Sequence, residues 1–136
     1  MRPGKWLNDE IINAYVRLIN MRKASKGYAL NTFFYTMLEN MSLNKDYKYE
    51  KLSRVLKKQK ITSLSNFPLT LIPVNIRHTH WLLLVLDPKL RQISVLDSMG
   101  PASSYECETY LQTLGPFLRD HFTDQDWTIV PLAVPL

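Results

Sequence analysis

The apolar positions of this chain change their period partway along it. In WLNDEIINAYVRLI, Ile11, Ile12, Tyr15, Val16 and Ile19 fall at i, i+1, i+4, i+5 and i+8, one face of a helix. Asn8 or Asp9 can cap that helix and Glu10 places an acid in its first turn, where the helix dipole favours one, so the spacing predicts a helix from about 8 to 22. A polar RKASKG loop follows. LNTFFYTMLENM is too evenly apolar for periodicity to decide, and suits either a short, well-buried helix or an irregular packing segment. NKDYKYEKLSRVLKKQK then carries Tyr47, Leu52, Val55 and Leu56 at roughly helical spacing among lysines, which predicts an amphipathic helix.

Beyond residue 68 the pattern is that of strands. LTLIPVNI, WLLLVLD and QISVLD are short runs rich in Val, Ile and Leu, bounded by turn residues. Gly100-Pro101 breaks the series. Residues 103–121 read as a helix with Tyr105, Leu111, Leu114 and Leu118 partly in phase, and DWTIVPLAVPL reads as a further strand. No repeat, low-complexity stretch or linker divides the chain, so a single domain over 1–136 is expected. Helices first and strands mostly after them predict an α+β fold rather than an alternating parallel sheet.

Composition narrows the function classes. At 136 residues and 46% hydrophobic, the chain can bury a core, which excludes a disordered tail. Its longest strongly apolar run, WLLLVL, is far short of the roughly 20 residues that cross a bilayer, and no signal-type apolar core follows the basic start, so no membrane partner is expected. The single cysteine, Cys107, excludes an internal disulfide. The three histidines at 78, 80 and 121 have no zinc-ligand spacing, and no metal or cofactor is expected. The net charge of +5 is concentrated: residues 44–60 hold seven Lys/Arg against two Asp/Glu, while residues 61–136 hold four against seven. With apolar residues threaded through it at helical spacing, that basic run is expected to be a solvated helix face rather than a nucleic-acid patch.

The candidate chemistry lies in WLLLVLD-PKL-RQISVLD. Asp87-Pro88 is a strong turn signal, and a hairpin symmetric about the Pro88–Lys89 bond sets His80 directly opposite Asp97. Opposed residues on antiparallel strands have Cβ atoms roughly 4.5–5.5 Å apart, within reach of an imidazole-to-carboxylate hydrogen bond. A carboxylate on one ring nitrogen fixes the tautomer and leaves the other to act as a base. Such a pair is more often a purely structural contact, so the remaining members of a triad decide its meaning. Cys107 reads as a poor nucleophile, because Glu106 and Glu108 flank it and raise its thiol. His78 and His121 read as ordinary loop or surface residues.

WLNDEIINAYVRLI at 6–19, LNTFFYTML at 30–38, LIPVNIRHTHWLLLVLD at 71–87 and ISVLDSMG at 93–100 resemble, in order and spacing, the ubiquitin-like-protein-specific cysteine proteases of the Ulp/SENP type. The resemblance covers nearly the whole chain. It implies a papain-like α+β fold and hydrolysis after the C-terminal Gly-Gly of SUMO, in precursor processing and in release from lysine conjugates. Matched position by position, it implies His80 as the catalytic histidine and Asp97 as its orienting carboxylate. It also implies Trp6 and Trp81 as indoles enclosing the diglycine, and Asp9 and Phe33 as contacts to the body of the ubiquitin-like protein. Flat, rigid aromatics suit such a slot because they bury an extended backbone while excluding a Cβ. For Phe33, Phe34 and Tyr35 plain core packing is the competing reading. The expected partners are SUMO or another ubiquitin-like protein and its conjugates, and the family implies a nuclear location.

One departure from the family shapes the remaining expectations. The strand at DWTIVPLAVP would lead into an oxyanion glutamine and an Asp-Cys-Gly nucleophile, neither of which appears before Leu136. The expectation is therefore a papain-like fold incomplete on its C-terminal side, a fragment of a SUMO protease lacking its nucleophile and inactive alone. The alternative is a catalytically dead module that binds SUMO or a related protein.

Overall fold

A computed structural model describes residues 27–76, 80–97, 100–123 and 126–133. The expected helix over 8–22, together with Trp6 and Asp9, lies outside the described residues. A short strand β1 (Gly27–Ala29) leads into helix α1 (Phe33–Leu43), which settles the ambiguous aromatic block as a helix. Asn31 Oδ1 accepts from the Phe33 N–H at 3.0 Å and starts it; Lys45, at φ 52, turns the chain out of it. The lysine-rich run forms α2 (Tyr49–Lys58), with Glu50 in its first turn and Lys57 and Lys58 in its last, each at the end the helix dipole favours. Leu52 and Leu56 are its buried residues. A single 3-10 turn (Leu64–Asn66) precedes β2 (Leu69–Ile76), β3 (His80–Asp87) and β4 (Gln92–Asp97). Helix α3 (Ser104–Phe122) and β5 (Thr128–Ala133) complete the order.

The five strands form one sheet in sequence order. β2, β3 and β4 are antiparallel, while β1 joins β2 and β5 joins β4 in parallel. Side chains alternate across the pleat, so Ile72 and Val74, Leu82, Leu84 and Leu86, and Ile93, Val95 and Asp97 make one buried face. Phe34 of α1 and Phe117 of α3 belong to the same core and meet edge to face, their rings 5.1 Å apart. Burying a side chain of that size contributes roughly 1.5–3 kcal/mol, so this contact is a main fastening between the two helices.

Two expectations are corrected by this architecture. The hairpin is not symmetric about Pro88–Lys89: Asp87 pairs with Gln92 and Leu82 with Asp97. Asp87 Oδ1 accepts from the N–H groups of Lys89 and Leu90 at 3.1 and 3.2 Å, and Arg91 at φ 52 closes a four-residue loop at 88–91. The register therefore differs by two residues from the symmetric one. A two-residue shift keeps every side chain on its own face, so His80 and Asp97 still share one, on the diagonal rather than directly opposed. The second correction concerns the expected incompleteness on the C-terminal side. β5 pairs with β4 from Thr128 to Ala133, and α3 covers a closed apolar cluster, so the described residues carry a core of their own.

Candidate active site

Two strand ends place the candidate pair. His80 opens β3, where it pairs with Ile76 of β2, and Asp97 closes β4 on the buried face. The Gly100 N–H bonds back to the Asp97 carbonyl at 3.2 Å, and Gly100 adopts φ 121, a conformation that L side chains rarely take. Ser103 then starts α3 with a reciprocal cap. Its hydroxyl accepts from the Glu106 N–H at 3.1 Å, and the Glu106 carboxylate accepts from the Ser103 N–H at 2.9 Å. The first turns of α3 are thus fixed beside the end of β4.

His80 Nε2 lies 3.3 Å from Asp97 Oδ2, with the side chains only 16% and 7% exposed. In this geometry Nε2–H donates to the carboxylate, so proton transfer to or from a reacting group would run through Nδ1. The carboxylate holds the ring in one orientation and one tautomer. Tyr110 of α3 lies within electrostatic reach. Burial, then Glu106, Tyr35, Asp97 and Cys107, push its phenol up, so that it stays a neutral hydroxyl.

Cys107 is buried at the end of the first turn of α3. Burial first and Glu106 second push its thiol up, which favours the protonated form. No hydrogen bond joins it to His80, so forming a reactive thiolate there calls for a change in its surroundings. Trp81 is half-buried on β3 and pairs with Asn75 of β2. Phe33, at the start of α1, is 60% exposed, unlike its buried neighbours Phe34 and Tyr35. The structure therefore brings His80 and Asp97 together and leaves Phe33 exposed, while Trp6 and Asp9 lie outside the described residues. Among the described residues, no three His, Cys, Asp or Glu side chains converge as metal ligands would.

Two features went unread in the sequence. Between α1 and the start of α2 lies a cavity of about 230 Å³ lined by Met37, Asn40, Met41, Asn44, Asp46 and Lys51. Beside it, Lys51, Arg54, Lys57 and Lys58 project from the exposed side of α2, and among the described residues no carboxylate pairs with any of them. The other feature is His121, expected at the surface and found partly buried with both ring nitrogens bonded. Its position in phase with Leu114 and Phe117 or Leu118 was the available signal.

Comparison with known proteins places the molecule. Residues 5–132 match the Ulp1 protease family, C-terminal catalytic domain. The chain is 38% identical over 113 residues to Sentrin-specific protease 2 of Rattus norvegicus, which covers 80% of this chain and 18% of that protein. It is 30% identical over 138 residues to Ubiquitin-like-specific protease 1 of Saccharomyces cerevisiae, covering 99% of this chain and 21% of that one. Among solved structures, the SUMO protease Ulp1 with its catalytic cysteine oxidized to a sulfenic acid superposes with a TM-score of 0.77 at 27% identity, over 98% of this chain and 58% of that one. The C-terminal Ulp1 protease domain in complex with Smt3, the yeast ortholog of SUMO, gives 0.76 at 26% identity with the same coverage. This chain thus spans about a fifth of those curated relatives and under two thirds of those solved chains. It belongs to the Ulp1 protease family, a family of cysteine-type peptidases, and has its papain-like fold. The expectation of a fragment truncated before its nucleophile, with a dead binding module as alternative, is corrected by these findings. The catalytic-domain match runs through residue 132, and the chain retains a cysteine, Cys107, along with the His80–Asp97 pair.

Proposed function

We propose that this member of the Ulp1 protease family hydrolyses the bond after the C-terminal Gly-Gly of SUMO or a closely related ubiquitin-like protein. His80 acts as the general base and acid through Nδ1, and Asp97 holds its ring. The observation that carries this reading is the buried His80–Asp97 contact at 3.3 Å. Trp81, at the mouth of the pair, and Trp6 are assigned to the diglycine channel. Asp9, Phe33 and the cations of α2 are assigned to the body of the ubiquitin-like protein. An acidic partner would be steered by the exposed Lys51, Arg54, Lys57 and Lys58.

Cleavage of a SUMO precursor extended beyond Gly-Gly tests this, with the protein carrying wild-type His80 against His80→Ala. Activity in the first and its loss in the second is expected. An unaltered rate in His80→Ala would sink the assignment of the base. The docking assignment is separable. Lys51→Glu with Arg54→Glu should lower kcat/KM about tenfold at low salt, with the effect fading as salt rises; a salt-independent loss would point elsewhere.

A further inference from the structure

His121 occupies the last turn of α3, at the far end from Asp97. Its Nε2 lies 2.8 Å from the backbone nitrogen of Leu64, and its Nδ1 lies 2.8 Å from the Tyr49 hydroxyl. A backbone N–H can only donate. Nε2 must therefore present its lone pair, which makes the ring neutral and puts its single proton on Nδ1, where it donates to Tyr49. The imidazole stacks on Phe117, with ring centres 5.0 Å apart at 16°, and meets Phe122 edge-on. One side chain thus joins three elements: the end of α3, the first residue of α2 and the first residue of the 3-10 turn.

We propose that His121 is an acid-released clamp: neutral, it fastens the start of α2 and the 3-10 turn to α3, and protonated, it lets both go. Protonation sets an N–H on Nε2 against the Leu64 N–H, two donors face to face, and strips that buried amide of its acceptor. Charged and titratable groups nearby do not compensate for the new cation. From α3 these are Arg119 and Asp120; from α2 and the residues before it, Tyr49 and Tyr47. The 3-10 turn contributes only neutral Ser63 and Ser65. The one carboxylate among them, Asp120, accepts from the Tyr47 hydroxyl at 2.8 Å. Burial pushes the imidazole down to about 4, the direction expected where the charged form is disfavoured. The clamp is independent of the peptidase reading, and its functional consequence is that the basic face of α2 is held in place only while His121 is neutral.

Amide exchange at pH 7 and pH 4.5, expressed as protection factors so that chemical exchange rates cancel, tests the clamp on the whole chain. Protection of residues 49–58 and of Leu64 should fall on the order of tenfold relative to β3 and β4 as the pH is lowered. His121→Phe, which keeps the ring stack, should lower that protection already at pH 7 and remove its pH dependence. Unchanged protection of α2 at pH 4.5, or a pH-dependent loss that persists in His121→Phe, overturns the proposal. Should that variant fail to fold, the ring ¹⁵N shifts of the unmodified protein decide. A proton on Nδ1 at pH 7, with Nε2 protonating as α2 loosens, supports the clamp; a proton on Nε2 at pH 7 overturns it.

Discussion

His80 and His121 stand near opposite ends of the same core, both with their rings bonded, and differ in what the bonds are made of. His80 faces a carboxylate, Asp97, whose Oδ2 accepts from its Nε2–H at 3.3 Å. His121 faces a backbone N–H and a phenol, so an arriving proton is opposed by burial and costs the ring its hydrogen bond to Leu64. The first arrangement suits a group that must gain and lose a proton during a reaction. The second suits a group that must not. Helix α3 connects them: 19 residues at about 1.5 Å per residue span about 28 Å, from the turn beside Asp97 to His121.

The largest effects should separate the two histidines by activity. Asp97→Asn keeps the shape of the pair but removes the charge that supports the imidazolium. If the peptidase reading holds, kcat should fall by about 10³–10⁴ with little change in the melting temperature. His121→Ala should leave kcat within a few-fold at pH 7 when substrate is saturating. A large loss of kcat in His121→Ala, or none in Asp97→Asn, would collapse the distinction.

Stability separates them next. His121→Ala leaves the buried Leu64 N–H without its acceptor, at a cost of about 1–3 kcal/mol measured by denaturant unfolding. The pH dependence has a definite sign. The ring titrates near 6.5 when unfolded and at about 4 when folded, so the unfolded chain binds more protons between those values. The stabilisation is fully present above about pH 6.5 and declines as the pH falls towards 4. After allowance for solvent screening of a partly exposed ring, about 1–2 kcal/mol should be lost over that window. A His121→Phe variant should show a shallower slope there; an identical slope would place the titrating group elsewhere.

The smallest effect concerns the helix that links the two sites. Ser103→Ala removes one half of the capping box and should destabilise the protein by about 1 kcal/mol. Fraying should be felt at the Asp97 end first. Amide exchange is expected to rise in residues 104–107 and stay unchanged near His121; a uniform rise along α3 would mean that the helix responds as one rigid body.

Much of the architecture was legible in short stretches of sequence. The three apolar runs became β2, β3 and β4, and the lysine-rich amphipathic run became α2 with Leu52 and Leu56 inward. The capped segment after Gly100-Pro101 became α3 despite Pro116 within it. β1 was missed, because three residues of GYA carry no periodicity and form a strand only through parallel pairing with Leu69, Thr70 and Leu71. The aromatic block at 30–41 stayed ambiguous for a related reason: its burial comes from α3 and the sheet, not from its own pattern.

The candidate pair shows where sequence determination ends. A loop of two residues or of four keeps His80 and Asp97 on one face, where a one-residue slip would part them, so the sequence determined their shared face only through the even length of that loop. Tertiary structure decided the rest: that the register moved by two residues, because Asp87 gathered the N–H groups of Lys89 and Leu90 into a four-residue loop, and that the pair meets on a diagonal. The helical phase of His121 pointed inward, but its bonding partners were a tertiary decision. Its partners lie 57 and 72 residues away, and whether an imidazole is a base, a switch or a fastening depends on which donors, acceptors and charges the fold carries to its two nitrogens.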